Sequence, residues 1–318
     1  MFTLVVLAYN EEKYIEKTIL ELIEYFDKII VVDDKSSDTT SSLVEALCGQ
    51  HKNIELIKNA KNIGAGKSFL TAIKSIEGDD PGYIIKVDGD NQFNLEDILK
   101  LKEISKNKNI DFLKCDRFWE NGIEGDIPLI RYVGNAFASL LLKLSTSNWK
   151  LNDPLNGLFS ISTNAAKHLN MPKLFFRYGY PFYLSVYFSN LSIERDLLVG
   201  QMKNTVTYRD EKSNLKAFTM LFKLIFFTFK TLFSKIKLKM KYSQLQMSAI
   251  LDILGSVSFI TFIYSIIKFI NIRYFGYVAS QATWFLVSLI FLILTISLVF
   301  VSQKIEYKIK LTNFINES

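Results

Sequence analysis

YIIKVDGDNQF, Tyr83 to Phe93, is a short β-branched run that ends in two carboxylates one residue apart, Asp88 and Asp90. An apolar run of this length, stopped by Asp and Gly, is the pattern of a buried strand. Upstream, TLVVLAY, KIIVVDD and NIELIK repeat it, each closing in polar residues. Helical patterns separate them: EEKYIEKTILELIEYF, SDTTSSLVEAL and GKSFLTAIKSI. Strands alternating with helices predict an α/β fold with a mainly parallel sheet covered on both faces. Ligands of such sheets sit at the carboxyl ends of the strands. The polar clusters Tyr9-Asn10-Glu11, Asp33-Asp34 and Asp88-Gly89-Asp90 all fall there.

From Leu95 to about Tyr208 the pattern is mixed, with helices near Leu95–Ser105 and at RYVGNAFASLLLKL, a strand at DFLKC, and a turn feeding a strand at DPLNGLFSIS. This half extends the sheet and supplies the second wall of a cleft. Beyond Asn214 the composition shifts. Lys216, Lys223, Lys230 and Lys237 recur every seven residues, and Phe218, Phe222, Ile225, Phe229 and Leu232 populate the opposite side. A basic face and a Phe-rich face predict a helix lying in a membrane interface. Trp284–Val301 carries no charge and with its neutral flanks reaches the roughly 20 residues that cross a bilayer. Ile253–Ile267, extended through Phe269 and Ile270, is a shorter second span. Lysines crowd the approach to the first span, Lys304, Lys308 and Lys310 follow the second, and Arg273 lies in the connecting turn. The positive-inside rule then puts both termini and the catalytic domain in the cytoplasm. The expected organisation is a catalytic domain at 1–214, amphipathic juxtamembrane helices at 215–247, a transmembrane hairpin at 248–303 and a cytoplasmic tail at 304–318.

Composition narrows the function classes. The 318 residues carry a formal charge of +6 and 26 Phe, and the mean hydropathy is +0.17. A basic balance attracts phosphate in any form. Nucleic acid is a poor partner, because the lysines gather beside the spans and not on an aromatic-studded soluble surface. Cys48 and Cys115 form no CxxC or Cys/His cluster, which argues against a disulfide framework and structural zinc. MFTLVVLAYNEE has no basic stretch before its apolar run and reads as a strand, not a signal peptide.

Asp88-Gly89-Asp90 can approach one divalent cation from a turning backbone, and such a cation neutralises charge on a leaving nucleoside diphosphate. The bland reading is a polar turn. An EF-hand is excluded, since its twelfth position is Leu99. The GKS of NIGAGKS is no Walker A motif, because Lys61 stands where glycine is needed. The stretch reads instead as a glycine-permitted loop at a helix N-terminus, suited to a nearby phosphate or sugar. Neither His51 nor His168 sits in a catalytic pattern.

VVLAYNEE, VVDDKSSDTT, NIGAGKS, KVDGDNQF and DPLNGLF, in this order, resemble family 2 glycosyltransferases of the GT-A fold. More narrowly they resemble polyprenyl-phosphate sugar synthases, the dolichol-phosphate mannose synthase group with its bacterial two-span relatives. The resemblance covers roughly 1–215 by motif, and the membrane hairpin agrees in kind. It implies inverting transfer of a hexose from UDP- or GDP-hexose to a polyprenyl phosphate, with Mg²⁺ or Mn²⁺, at the cytoplasmic face of a bacterial inner membrane. A two-span anchor also packs readily as a homo-oligomer.

The resemblance further implies residue roles. Ala8, Tyr9, Glu11, Asp34, Asp38, Gly64, Asp88, Gly89, Asp90 and Arg209 surround the nucleotide sugar. Asp88, Asp90 and Gln92 hold the metal, and Arg117 and Arg131 receive the acceptor phosphate. Several positions depart from the pattern: Ala8 replaces a proline, Gly89 a common alanine and Asn156 a frequent serine. The loop from Arg209 to Asn214 is one residue shorter than usual and lacks its glycine. A lipid phosphate is already anionic and needs no general base, only alignment and charge compensation. A saccharide acceptor, the alternative, would need a base, for which Asp153 is the candidate.

Overall fold

The computed structural model describes residues 1–76, 81–119, 123–124, 129–207, 217–275, 278–310 and 314–317. Among the described residues there are ten strands and ten α-helices. They run β1 (Phe2–Ala8), α1 (Ile15–Leu22), β2 (Lys28–Asp33), α2 (Thr40–Gln50), β3 (Ile54–Lys58), α3 (Ala65–Ser75), β4 (Tyr83–Asp88), α4 (Leu95–Asn107), β5 (Phe112–Asp116) and β6 (Ile123–Glu124). Then follow α5 (Leu129–Thr146), β7 (Phe159–Ser162), α6 (Thr163–Ala166), α7 (Tyr180–Arg195), β8 (Val199–Lys203), β9 (Val206–Thr207), α8 (Ala217–Lys241), α9 (Gln246–Phe275), α10 (Val278–Lys310) and β10 (Phe314–Glu317). They form two compact units. One comprises Met1–Thr146, Lys150–Phe226 and Asn313–Ser318; the other comprises Ser147–Trp149 and Phe227–Thr312.

The first unit is built on an eight-stranded sheet in the order β10-β8-β5-β7-β4-β1-β2-β3. All neighbours are parallel except β7, which runs antiparallel between β4 and β5. The order steps outward from β1 to β3 and then returns to the other side of β1 with β4. That reversal is the switch point at which open α/β sheets leave a crevice beyond the strand ends. The register Leu7↔Asp88 sets the last residue of β4 beside the penultimate residue of β1 there.

Each strand is held by what its two faces bury. Leu4, Val6, Ile29, Val31, Ile85 and Val87 pack with Ile15, Ile19 and Leu22 of α1 and with Ile98 and Leu101 of α4. The helix positions follow i, i+4, i+7 spacing, so one stripe of α1 meets the sheet. Each such side chain removed from water stabilises the unit by about 1.5–3 kcal/mol. The opposite face is aromatic: Phe69 lies 5.2 Å from Phe159 and Phe112 lies 4.9 Å from Phe188, centroid to centroid.

The second unit is helical. α9 and α10 are long and apolar enough to cross a membrane. Small residues let them approach: a Cβ on Gly255 would sit 3.3 Å from Val299, and Thr295 Oγ1 donates to Ser258 Oγ at 3.0 Å. Side chains such as Val257, Ile260, Ile290 and Ile293 are exposed. In α8 the exposed side carries Phe222, Phe226, Phe229 and Phe233 together with Lys223, Lys230 and Lys237, while Leu224, Lys235 and Lys239 are buried.

Candidate active site

β4 ends because Gly89 begins a turn that feeds α4. Gly89 N–H donates to Leu7 O at 2.9 Å, continuing the ladder one step past the strand. Thr18 of α1 holds Gly89 O at 3.2 Å. A Cβ on Gly89 would meet Ile15 Cδ1 at 3.0 Å and Leu7 O at 3.3 Å, so the turn packs closely on β1 and α1. Asn91 takes φ +53°, Gln92 N–H donates to Asp90 Oδ1 at 3.2 Å, and Asn94 caps α4 by accepting from Glu96 N–H at 3.0 Å. The acid pair therefore sits on a short, bonded turn at the centre of the sheet.

Asp88 has a partner that the motif did not announce. Lys86, two residues earlier on the same strand, is 1% exposed and its ammonium lies 2.5 Å from Asp88 Oδ1. Residues i and i+2 of a strand share a face, so the contact follows from the pleat. Burial lowers the lysine's affinity for its proton, but Asp88 outweighs it and holds the ammonium above the ordinary lysine value. The Tyr180 ring lies 5.6 Å from the same nitrogen, and burial pushes its hydroxyl up to about 12.

Asp34 closes β2 with both oxygens in use. Oδ1 accepts from Asn59 Nδ2 and Ile63 N–H at 2.9 Å each, and Oδ2 accepts from Gly64 N–H at 2.7 Å. The anion taken by the NIGAG loop at the start of α3 is thus the chain's own carboxylate. Gly64 has φ +91° and packs on Arg177, whose Cα would be 2.6 Å from any Cβ there. Arg177 in turn donates to Asn62 Oδ1 at 3.0 Å and Asn62 O at 3.2 Å. Ala8 is buried and Tyr9 is 46% exposed. Glu11 N–H donates to Thr40 Oγ1 at 2.8 Å. Asp38 takes Thr40 N–H and Glu12 N–H at 3.0 and 3.2 Å. Burial opposes ionisation of Asp38, but the bonds from Thr40 and Glu12 prevail and hold it below the usual carboxylate value.

Arg117, just past β5, is bound to Asp153. Its Nε lies 3.0 Å from Asp153 Oδ2, Nη2 donates to Oδ1 at 3.2 Å, and its backbone N–H donates to Oδ2 at 3.1 Å. Asp153 is fully buried with φ +44°, and Asn156 Nδ2 donates to it at 3.1 Å and to Asn204 Oδ1 at 2.9 Å. Lys114 lies beneath, donating to Asn152 O and Cys115 O. Burial holds the Lys114 ammonium below the ordinary lysine value, with Asp153 and Asp116 opposing. Arg131 lies in the first turn of α5, with its side chain outside the described residues, and Arg209 lies outside them altogether.

Sequence reasoning missed Lys86, Arg177 and the Arg117–Asp153 pair. Only the first left a signal, a lysine two residues before an aspartate in a strand. Among the described residues no three acidic, His or Cys side chains converge as a metal cage. An all-oxygen pair such as Asp88 and Asp90 still suits Mg²⁺ or Mn²⁺, which commonly take one or two carboxylates and complete their shell with substrate phosphate.

A mainly parallel sheet with helices on both faces and an acid pair at the switch-point strand is the GT-A arrangement. Residues 3–166, just over half of the chain, match Glycosyl transferase family 2, and the chain belongs to that family. It is 37% identical over 140 residues to an uncharacterized protein of Methanocaldococcus jannaschii, covering 43% of this chain and 59% of that one. It is 27% identical to the UDP-N-acetylglucosamine–dolichyl-phosphate N-acetylglucosaminyltransferase of Methanococcus voltae, covering 52% of this chain and 71% of that one. The chain thus spans about three fifths of the length of the first of these curated relatives. Among solved structures, a mannosyltransferase of Pyrobaculum calidifontis in complex with GDP-Man and Mn²⁺ superposes with a TM-score of 0.45 at 16% identity, over 69% of this chain and 60% of that one.

Proposed function

We propose that this protein transfers a hexose, with inversion, from a nucleoside-diphosphate sugar to a polyprenyl phosphate at a membrane surface. The observation that carries the reading is the loop Asp153–Gly157. At one end it fixes Arg117; at the other a Cβ on Gly157 would be 2.5 Å from Asp88 Oδ2. Its ends are at most roughly 14 Å apart, so one short loop links a candidate acceptor cation to a candidate donor carboxylate, which supports the reading.

Asp88 and Asp90 would hold a divalent cation, with Gln92 beside them. That cation supplies charge neutralisation for the departing diphosphate. Arg117, and Arg131 with it, would hold the acceptor phosphate, since a guanidinium pairs two phosphate oxygens at once. Asp34 orders the loop bearing Gly64, and with Ala8, Tyr9, Glu11 and Asp38 it forms the nucleoside end. Arg209 would close over the diphosphate. A phosphate monoester is ionised at neutral pH and attacks without a base. The burial and full engagement of Asp153 favour this acceptor over a saccharide, for which Asp153 would have to take a proton. The dolichyl-phosphate substrate in the name of the Methanococcus voltae relative supports the same class. α9 and α10 would cross the bilayer, with α8 at its surface.

The test is transfer from radiolabelled UDP- and GDP-hexoses to polyprenyl phosphate by the full chain in detergent, with Mg²⁺, Mn²⁺ or EDTA. Label entering the organic phase only with metal, in a product of inverted anomeric configuration, is the expected result. Transfer to free saccharides alone would overturn the acceptor assignment, and retained configuration would overturn the single displacement.

A further inference from the structure

Lys86 is the only lysine described on β4, and it is buried among aromatic side chains. Its register partner on β7 is Phe159, which meets the Tyr180 ring edge-on at 6.3 Å, while Phe69 stacks on that ring at 6.0 Å. An ammonium in such surroundings is costly unless a carboxylate answers it. The answering group is Asp88, whose side chain is 36% exposed against 1% for Lys86. The pair is therefore lopsided, with the cation sealed inside and the anion facing the crevice.

Gly157 completes the enclosure. A Cβ there would lie 2.5 Å from Asp88 Oδ2 and 2.9 Å from Lys86 Nζ, so the loop backbone runs directly over the pair. Asp88 Oδ1 is taken by the ammonium and Oδ2 is crowded by the loop. Asp90 lies beyond this enclosure, on the turn.

We infer that Lys86, with Gly157 as its cover, is a positioning residue of the donor site: it neutralises and orients Asp88, so that a divalent cation is held weakly until a nucleoside diphosphate brings further oxygen ligands. The acid pair then presents one net negative charge to a bare cation instead of two. Cation and diphosphate are thereby made to arrive together, and the enzyme avoids a tightly held resident metal. Lys86 has this role only if the acid pair holds the cation–diphosphate, as proposed above.

The experiment measures Mn²⁺ alone by electron paramagnetic resonance, which reports the unbound ion, with the full chain in detergent and no nucleotide. Removing a positive charge a few ångströms from a divalent ion should tighten its binding about tenfold even at a water-like dielectric. Lys86→Met is thus expected to bind Mn²⁺ about tenfold more tightly than the wild type. In the same variant the gain in Mn²⁺ affinity caused by adding UDP or GDP should shrink. Unchanged or weaker Mn²⁺ binding in folded Lys86→Met would overturn the inference. If that variant is not recovered folded, Lys86→Gln, which keeps a donor toward Asp88 without the charge, is read by the same criterion. Failure of both to fold would make Lys86 a structural residue and also overturn it. A wild type that binds no Mn²⁺ even with UDP or GDP would instead bring down the donor-site reading itself.

Discussion

Two regions of this molecule bury lysine against carboxylate, and they do it differently. In the helical unit, Lys235 and Lys239 lie 2.8 and 2.7 Å from the two oxygens of Glu306, and Lys239 lies 2.6 Å from Asp252. Ser147 donates to Glu306 at 2.8 Å, Ser248 and Ser302 are 2.8 Å apart, and Ser302 also donates to Asp252. Among the described residues two cations meet two anions here, and serine hydroxyls bond to the carboxylates. In the sheet, one buried ammonium is paired with one partly exposed carboxylate, Asp88, and a second carboxylate, Asp90, follows on the turn beyond it. A network in which cations and anions answer one another rigidifies its surroundings. An unbalanced one at a strand end leaves negative charge available to a ligand. The difference teaches that burial of a lysine does not tell structure from function; the charge count and the exposure of its partner do.

The comparison breaks most visibly at Glu306. Glu306→Ala leaves two buried ammoniums short of an anion and is expected to destabilise the helical unit by about 3–5 kcal/mol. Thermal unfolding in detergent measures this, and nucleotide binding by the surviving folded fraction should be unchanged. Asp90→Ala should do the reverse. Transfer of labelled sugar should fall about a hundredfold or more, some 2.7 kcal/mol of transition-state stabilisation, with little change in melting temperature. Equal damage to stability in both variants would erase the distinction drawn between the two networks.

Gly157→Ala sharpens the sheet side. Its new Cβ must displace the Asp88 carboxylate, and overpacking of this kind costs about 1–3 kcal/mol. Calorimetric titration should show weaker UDP or GDP binding in the presence of Mn²⁺. Asp153→Asn removes the charge that holds Arg117 and should raise the KM for polyprenyl phosphate about tenfold, the effect of losing roughly 1.4 kcal/mol, with the nucleotide-sugar KM unchanged. A parallel rise in both constants would mean that the loop, not the acceptor end, had been disturbed. Lys17→Ala gives the baseline. The Lys17–Glu21 pair is 3.4 Å long with side chains 60% and 44% exposed, and losing it should cost no more than about 0.5 kcal/mol.

Much of this was readable in advance. The β-branched runs ending in polar residues placed β1, β2 and β4, and the acid pair fell at the carboxyl end of β4 as expected. Helical spacing likewise placed α1 to α5 within a few residues. Less was legible where a contact joins distant segments. Phe314–Glu317, read as part of a tail, forms β10 against β8 with Lys108 paired to Glu317. No local pattern distinguishes a four-residue strand from a loop when the partner edge is more than a hundred residues away. α7 was also missed, because its Tyr, Phe and Ser residues are buried on nearly all sides and leave no amphipathic period.

The sequence by itself determined the family, the sheet with its polar strand ends, and two helices long and apolar enough to span a bilayer. Those features rest on short-range periodicity and composition, which each segment carries alone. Only the tertiary structure decided that Asp34 serves its own loop, that Asp153 grips Arg117, and that Lys86 and Gly157 enclose Asp88. These contacts depend on where separate strand ends converge, and the charge felt at such a site is a sum over neighbours that no single segment contains.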